Sequence, residues 1–218
     1  MAKYTVAVAG ATGYAGGEAL RILAAHPAFE VTCVAGHSSV GDRLGRHMPH
    51  IPQLADLVVE DTTPEVLNGH DVIILALPHG ASGALAAQLA EGGYVRQRGV
   101  LPGSRRIAGP GCNVTAVTLA LQPAVAEGLV ETTDIVADLV VGYSGAGKNL
   151  KRANLLAAEA FGSAVPYSVG GTHRHIPEIL QNLAHAAGLT AADADRFTLG
   201  FTPILAPMSR GILASVSA

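Results

Sequence analysis

An α/β fold built on a doubly wound parallel sheet is predicted by three features of the sequence. Short apolar strands alternate with helical spacing through residues 4–89, a glycine turn joins the first strand to the first helix, and Gly (26) and Pro (12) are plentiful while aromatics make up 4%. Strands that are apolar on both faces need cover on both sides, and crossover helices supply it. With 218 residues, 49% hydrophobic and 14% charged, and a mean hydropathy of +0.35, the chain can bury a sizeable core and is not disordered.

The elements follow in order. Tyr4 to Ala9 is a β-rich run that ends in Gly10-Ala-Thr-Gly13-Tyr-Ala-Gly16, and Ala19, Leu20, Ile22 and Leu23 give helical spacing over Glu18 to Ala25. Glu30 to Ala35 reads as a second strand, and after an irregular His/Pro stretch Asp71 to Leu77 reads as another. Pro78-His79-Gly80 opens a helix from Ala81 to Leu89. A further buried strand is expected next, but Ala90 to Arg106 offers Arg96, Arg98, Arg105 and Arg106 among glycines, the pattern of a solvated basic loop.

Pro110-Gly-Cys112-Asn then leads a helix through Ala116 to Val125, followed by a strand at Ile135 to Val141, a turn at Gly142 to Gly147 and a helix over Leu150 to Phe161. Pro177, in the first-turn position that suits proline, starts a helix to about Ala187, and Phe197 to Pro203 and Ile212 to Val216 read as strands, the second an edge strand. The predicted class is therefore α/β: a Rossmann-like doubly wound parallel sheet over residues 1–107, followed by a second domain over residues 108–218.

Charge and composition exclude several functions. Lys plus Arg 14 against Asp plus Glu 17 gives a net charge of −3 without a basic face, which disfavours nucleic acid. No apolar run approaches the roughly 20 residues of a membrane helix, and residues 1–10 do not form a signal peptide. Cys33 and Cys112 lie far apart without CxxC spacing, so neither a disulfide framework nor a zinc knuckle is indicated, and the reducing cytoplasm is the expected compartment.

Several residues point to chemistry. The turn Gly10, Gly13, Gly16 has the GxxGxxG spacing that lets backbone approach a pyrophosphate at a helix N-terminus, and the turn at Pro78 is expected to line the same crevice. No carboxylate follows the second strand until Asp42, which favours NADP over NAD; Ser38 or Ser39 can meet a 2′-phosphate, or simply cap the strand. Cys112, after Pro110-Gly111 and before a helix, is placed where amides at a positive helix end favour a nucleophilic thiolate, whereas Cys33 reads as a small buried hydrophobe.

Most histidines, such as His26, His47, His50 and His185, read as surface residues. His173 and His175, two apart with Glu178 close behind, can shuttle protons or bind metal; the missing third ligand makes metal the lesser reading. Gly142 to Asn149 nearly matches a phosphate-binding P-loop, but Asn149 stands where the Mg-binding hydroxyl belongs, so the segment reads instead as a turn that lets substrate approach backbone.

Six motifs in order carry a resemblance: GATGYAG at 10–16, LPHG at 77–80, PGCN at 110–113, SGAGK at 144–148, GGTHRHIPE at 170–178 and APMSRG at 206–211. Together they resemble the N-acetyl-gamma-glutamyl-phosphate reductase family over nearly the whole chain. The resemblance implies NADPH-dependent reduction of an acyl phosphate to N-acetylglutamate semialdehyde in arginine biosynthesis, with residues 1–107 the NADP-binding domain and residues 108–218 part of an α+β catalytic domain. Cys112 would form the thioester and His175 would be its acid/base partner. Tyr167, His173 and Glu178 match positions lining the substrate pocket, and Arg210 is a candidate carboxylate clamp by its fork geometry. Gly10, Thr12, Gly13, Tyr14, Ala15, Gly16, Ser38 and Pro78 carry over as cofactor contacts, and no metal is implied.

Against that family, the chain runs directly into Ala90 to Arg106 where members carry a strand and an Asp-x-Arg-like segment, and it stops where they continue. It therefore reads as a form shortened by an internal deletion and a missing C-terminal part. A noncatalytic nucleotide- or partner-binding remnant is the alternative reading. The expected partners are a small-molecule substrate and further copies of the chain, because an exposed strand near Ile212 and an apolar composition favour self-association.

Overall fold

Val6 and Val8 project from one face of the first strand and Ala7 and Ala9 from the other, and all four are fully buried. That alternation requires cover on both sides. Strand β1 (Tyr4–Ala9) lies between β2 (Phe29–Gly36) and β4 (Val72–Leu75), and β3 (Val59–Asp61) extends the sheet beyond β2, giving the order β3-β2-β1-β4 with every pair parallel. Helix α1 (Tyr14–Ala24) buries Leu20 and Leu23 against the Val6/Val8 face, together with Val34, Leu44, Met48, Ile51 and Val59. The Ala7/Ala9 face is closed by Leu67 of α3 (Pro64–Leu67) and Leu85 of α4 (Ala81–Leu89), with Cys33 and Ala35. The small residues there let the helices approach closely.

This is a computed structural model, and it describes residues 4–78, 80–89, 103, 107–147 and 162–218. Two compact units result, the first holding residues 4–89 and the second Gly103, 107–147 and 162–218. The basic loop expected at Ala90 to Arg106, Gly103 aside, and the helix expected at Leu150 to Phe161 lie outside the described residues, as do His79 and Lys148.

The doubly wound sheet is as expected, with corrections at its margins. Helix α1 begins at Tyr14, four residues before the apolar spacing at Glu18 begins, because Gly13 supplies an extended N-cap and Gly16 and Gly17 continue the helix. Apolar periodicity does not register glycines inside a helix. The stretch read as irregular holds the four-residue helix α2 (Leu44–His47), strand β3 and α3, all too short to repeat a recognisable pattern.

The second unit is a mixed sheet in the order β6-β7-β5-β8. β5 (Ile135–Gly142) pairs in parallel with β7 (Leu199–Ala206) and antiparallel with β8 (Ile212–Ser217), while β6 (Val165–Pro166) pairs antiparallel with β7. Helices α5 (Cys112–Ala126) and α6 (Ile176–Ala186) cover one face. Their Val114, Val117, Leu121, Ile179 and Leu183 meet the inward residues Ile135, Ala137, Leu139 and Val141 of β5. The register sets the other face in rows across β7, β5 and β8: Gly200, Val136 and Ser217, then Thr202, Asp138 and Ser215, then Ile204, Val140 and Leu213. Among the described residues no helix packs there, and Val136 and Leu213 are exposed. β8 is an edge strand, as expected.

Candidate active site

Each unit places one group of residues. In the first, the chain runs outward from β1 to β2 to β3 and returns to β4 on the far side of β1, so the crevice at the strands' carboxyl ends opens between β1 and β4. Such a reversal is where open parallel sheets bind ligands. The glycine turn follows β1 and the Ala76–Pro78 segment follows β4, and the two are in contact. Gly10 takes φ +79°, and a Cβ on it would lie 2.8 Å from the Ala76 carbonyl carbon. The Gly10 and Ala11 amides both donate to the Ala35 carbonyl, at 2.9 and 3.1 Å. A Cβ on Gly16 would lie 2.7 Å from the Gly10 carbonyl carbon, so the helix can press onto the turn only without a side chain there.

The Gly17 amide donates to the Gly13 carbonyl, so the amides before it, including those of Ala15 and Gly16, have no acceptor within the helix. No acidic residue stands in this first turn. An 11-residue helix with such a start favours an anion at its N-terminus. Beyond β2, Ser38 is exposed while Ser39 is buried, its hydroxyl 3.2 Å from that of Thr12 in the glycine turn. Of the two serines, Ser38 is thus the one open to solvent at the end of β2.

In the second unit, Cys112 is the first residue of the 15-residue helix α5, capped by Gly111 in an extended conformation, and its side chain is exposed. His175 is the N-cap of α6, its carbonyl accepting from the Ile179 amide at 3.0 Å. The two helices pack together, and the contact reaches their first residues: a Cβ on Gly111 would lie 2.7 Å from His175 Cε1 and 2.9 Å from Cδ2. The imidazole therefore lies against the backbone that carries Cys112.

Around this pair sit Asn113, Tyr167 and His173. Asn113 is 1% exposed; its Nδ2 donates to the Tyr167 hydroxyl at 3.2 Å, and its Oδ1 accepts from Cys112 Sγ at 3.8 Å. His173 packs its ring on Phe201 and Tyr167, meets His175 edge-on at 4.7 Å, and accepts the His175 amide on Nδ1 at 3.1 Å. Burial, with His175 and Arg174 nearby, pushes the His173 pKa down to about 4. The ring is neutral near pH 7, and with Nδ1 accepting, its proton is on Nε2. Burial also raises the Tyr167 hydroxyl above its ordinary value, the Asn113 bond partly opposing this.

Glu178 lies one turn past His175 on α6 and is half-buried. Arg210 is set apart from the Asn113 network by its element, on an exposed turn beyond β7 that packs its backbone against Gly142. Gly142 and Tyr143 donate to the Gly211 and Met208 carbonyls, both at 2.9 Å, which docks the P-loop-like turn onto the Arg210 segment. Cys33 is buried, and desolvation, with Glu60 nearby, raises its thiol to about 11, so it is inert packing as the sequence suggests. No group of three or more His, Cys, Asp or Glu able to hold a metal occurs among the described residues.

Comparison with known proteins matches both units. The family model described as semialdehyde dehydrogenase, NAD binding domain, matches residues 5–96, and the one described as semialdehyde dehydrogenase, dimerisation domain, matches residues 112–218. The N-acetyl-gamma-glutamyl-phosphate reductase of Bifidobacterium longum (strain DJO10A) is 70% identical over 263 positions, covering 100% of this chain and 72% of that protein. That of Leifsonia xyli subsp. xyli (strain CTCB07) is 47% identical over 254 positions, covering 99% and 71%. The chain belongs to the N-acetyl-gamma-glutamyl-phosphate reductase family. Its two units match a semialdehyde dehydrogenase NAD binding domain and a semialdehyde dehydrogenase dimerisation domain in that order.

Solved structures show the same fold. Aspartate semialdehyde dehydrogenase with NADP from Candida albicans superimposes with a TM-score of 0.72 at 16% identity, over 99% of this chain and 71% of that one. Aspartate semialdehyde dehydrogenase II complexed with ASA from Vibrio cholerae gives 0.69 at 14%, over 99% and 74%.

The alignment with the B. longum reductase also measures the shortening. It spans 263 positions and this chain has 218 residues, so at least 45 of them (263 less 218) are filled by the relative alone. An alignment begins and ends on matched residues, so this deficit is internal. For a reductase of this family, the glycine turn suits the dinucleotide: its close approaches exclude side chains and its helix start favours phosphate. Sequence reading gave Asn113 and Phe201 no role, and Gly111 only that of turning the chain ahead of Cys112. Asn113 was within reach, adjoining Cys112 in the PGCN motif, but its partner Tyr167 is 54 residues away and no local pattern joins them.

Proposed function

We propose that this chain carries the reaction its curated relatives are named for, the reduction of N-acetyl-gamma-glutamyl phosphate to N-acetylglutamate 5-semialdehyde and phosphate, a cytoplasmic step of arginine biosynthesis. The supporting observation is the exposed Cys112 thiol at the start of α5 with the His175 imidazole against the preceding residue. A nucleophile beside a base is the arrangement covalent catalysis needs.

In this reading His175 takes the thiol proton and Cys112 Sγ attacks the γ-acyl carbon. The acyl carbon–oxygen bond breaks, inorganic phosphate leaves, and a thioester joins the substrate to Sγ. Gly10, Thr12, Gly13, Tyr14, Ala15, Gly16, Ser38 and Pro78 would hold NADPH, which would supply the hydride needed to reduce the thioester carbonyl by two electrons. The carbon–sulfur bond of the resulting hemithioacetal then breaks to give the aldehyde, the sulfur leaving as thiolate and recovering the proton through His175. The amides at the start of α5 stabilise negative charge on sulfur and on the tetrahedral oxygen. Tyr167 and Glu178 line the substrate, Arg210 clamps its carboxylate, and His173, whose Nδ1 holds the His175 amide, offers Nε2–H.

The test is the reverse reaction on the purified chain, following NADPH formation from the semialdehyde, phosphate and NADP. Turnover lost in Cys112→Ser supports the proposal; turnover that survives the substitution overturns it. The internal deficit of at least 45 positions favours a second reading, a noncatalytic remnant that still binds nucleotide or partner. A folded chain that binds NADP without turnover identifies that case. We also infer that the open face of the second sheet, centred on Val136, Val140 and Leu213, is where two copies meet, in keeping with the matched dimerisation model.

A further inference from the structure

Asn113 stands out among the described residues of the second unit as a polar side chain almost entirely removed from solvent, at a core-facing position one turn before Val117. A valine or leucine would fill such a place without the cost of desolvating an amide. The amide is instead divided between two groups: Oδ1 receives Cys112 Sγ–H and Nδ2–H goes to the Tyr167 hydroxyl. Each end limits the other, since the amide cannot turn toward one partner without disturbing its bond to the second.

Cys112 needs such a restraint. Its side chain is exposed, and a cysteine at the first position of a helix has more than one staggered rotamer open to it. Tyr167 is itself fixed, because its amide donates to the Pro203 carbonyl at 3.1 Å and its ring packs on His173. The chain of contacts Cys112–Asn113–Tyr167–His173–His175 therefore closes a loop on the same helix start where His175 meets Gly111. Among the described residues, Tyr167 interacts electrostatically with Cys112 and Arg174, and His173 with His175 and Arg174; Tyr167, His173, Arg174 and His175 all come from the segment between β6 and α6.

We propose that Asn113 is a positioning residue: its buried amide ties the Cys112 thiol to the Tyr167 hydroxyl and so fixes the rotamer from which the sulfur reacts. This rests on Cys112 being the nucleophile, and the experiment separates the two. Iodoacetamide alkylation of the full chain reports on Cys112, because Cys33 is buried, and it requires no turnover. The variants are Asn113→Ala, Asn113→Asp, Tyr167→Phe and the Asn113→Ala/Tyr167→Phe pair, each checked for its melting temperature.

Asn113→Asp, close in volume, sets a carboxylate beside the sulfur, and its alkylation profile moves to higher pH. In the reverse reaction Asn113→Ala and Tyr167→Phe each lower kcat about tenfold with KM within about twofold, and the pair loses no more than about tenfold because both remove one connection. Should Asn113→Ala fail to fold, Tyr167→Phe, which keeps the ring, decides by the same kcat and alkylation readouts. Alkylation unchanged in Asn113→Asp and Tyr167→Phe, or losses that multiply in the pair, overturn the proposal. Turnover surviving in Cys112→Ser instead removes the nucleophile reading beneath it, whatever the alkylation shows.

Discussion

His175 occupies the space that a side chain at Gly111 would need, its Cε1 2.7 Å from where a Cβ would stand. The imidazole is thereby set by the same backbone that carries Cys112. Gly111→Ala must push the imidazole away or displace the start of α5. We expect at least a hundredfold loss in kcat with a change of only a few degrees in melting temperature, since a shift of about 1 Å at the reacting groups is costly. Steady-state kinetics with a melting curve checks this; unchanged kcat would show that His175 works from another position.

His173 gives the fold a pH dependence of definite sign. Its pKa is lowered from 6.5 to about 4 by burial. Between those values the unfolded chain binds a proton that the folded chain does not, so stability falls as pH drops from about 6.5 toward 4, by on the order of 2 to 3 kcal/mol. Urea midpoints at pH 7 and pH 4.5 measure the fall, and His173→Phe should flatten it.

Gly10→Ala combines an unfavourable φ of +79° with a Cβ 2.8 Å from the Ala76 carbonyl carbon. The left-handed conformation alone costs about 1 to 2 kcal/mol. The clash separates the two turns flanking the crevice, so we expect a loss of at least 2 kcal/mol in stability and weaker NADPH binding, read by denaturation and nucleotide fluorescence titration. NADPH affinity equal to that of the parent chain would count against the glycine turn as the cofactor site.

Leu213→Lys places a charge on the open sheet face beside Val140. Leu213 is 68% exposed, so the substitution leaves the unit's own packing nearly unchanged. Sedimentation should show the variant shifted toward monomer at micromolar concentration while its melting curve in dilute solution stays put. An unaltered distribution would place self-association elsewhere.

The parts of the fold legible in the sequence were those written in local spacing. Three glycines three apart encode a turn that its own backbone closes, the Gly13 amide donating to the Gly10 carbonyl and the Gly17 amide to the Gly13 carbonyl, and Gly111-Cys112 declares the helix start by its own turn chemistry. What escaped depends on distant partners or on very short elements. The Asn113–Tyr167 and Thr12–Ser39 bonds join residues 54 and 27 apart. Strands β3 and β6 have three and two residues, too few to show an alternation, and exist because neighbouring strands offer them hydrogen bonds.

The order β6-β7-β5-β8 also governs how this unit comes off the ribosome. β5 is one of its two inner strands, yet neither of its neighbours in the sheet precedes it in the chain; β7 begins at Leu199 and β8 at Ile212. The apolar Ile135, Leu139 and Val141 are thus translated well before anything can pair with them along either edge, with only α5 already made to shelter one side. At about 5 to 20 residues per second, more than fifty residues of waiting lasts several seconds. During that interval β5 is the segment of nascent chain most in need of a chaperone, whereas β1, with β2 arriving some twenty residues later, is not.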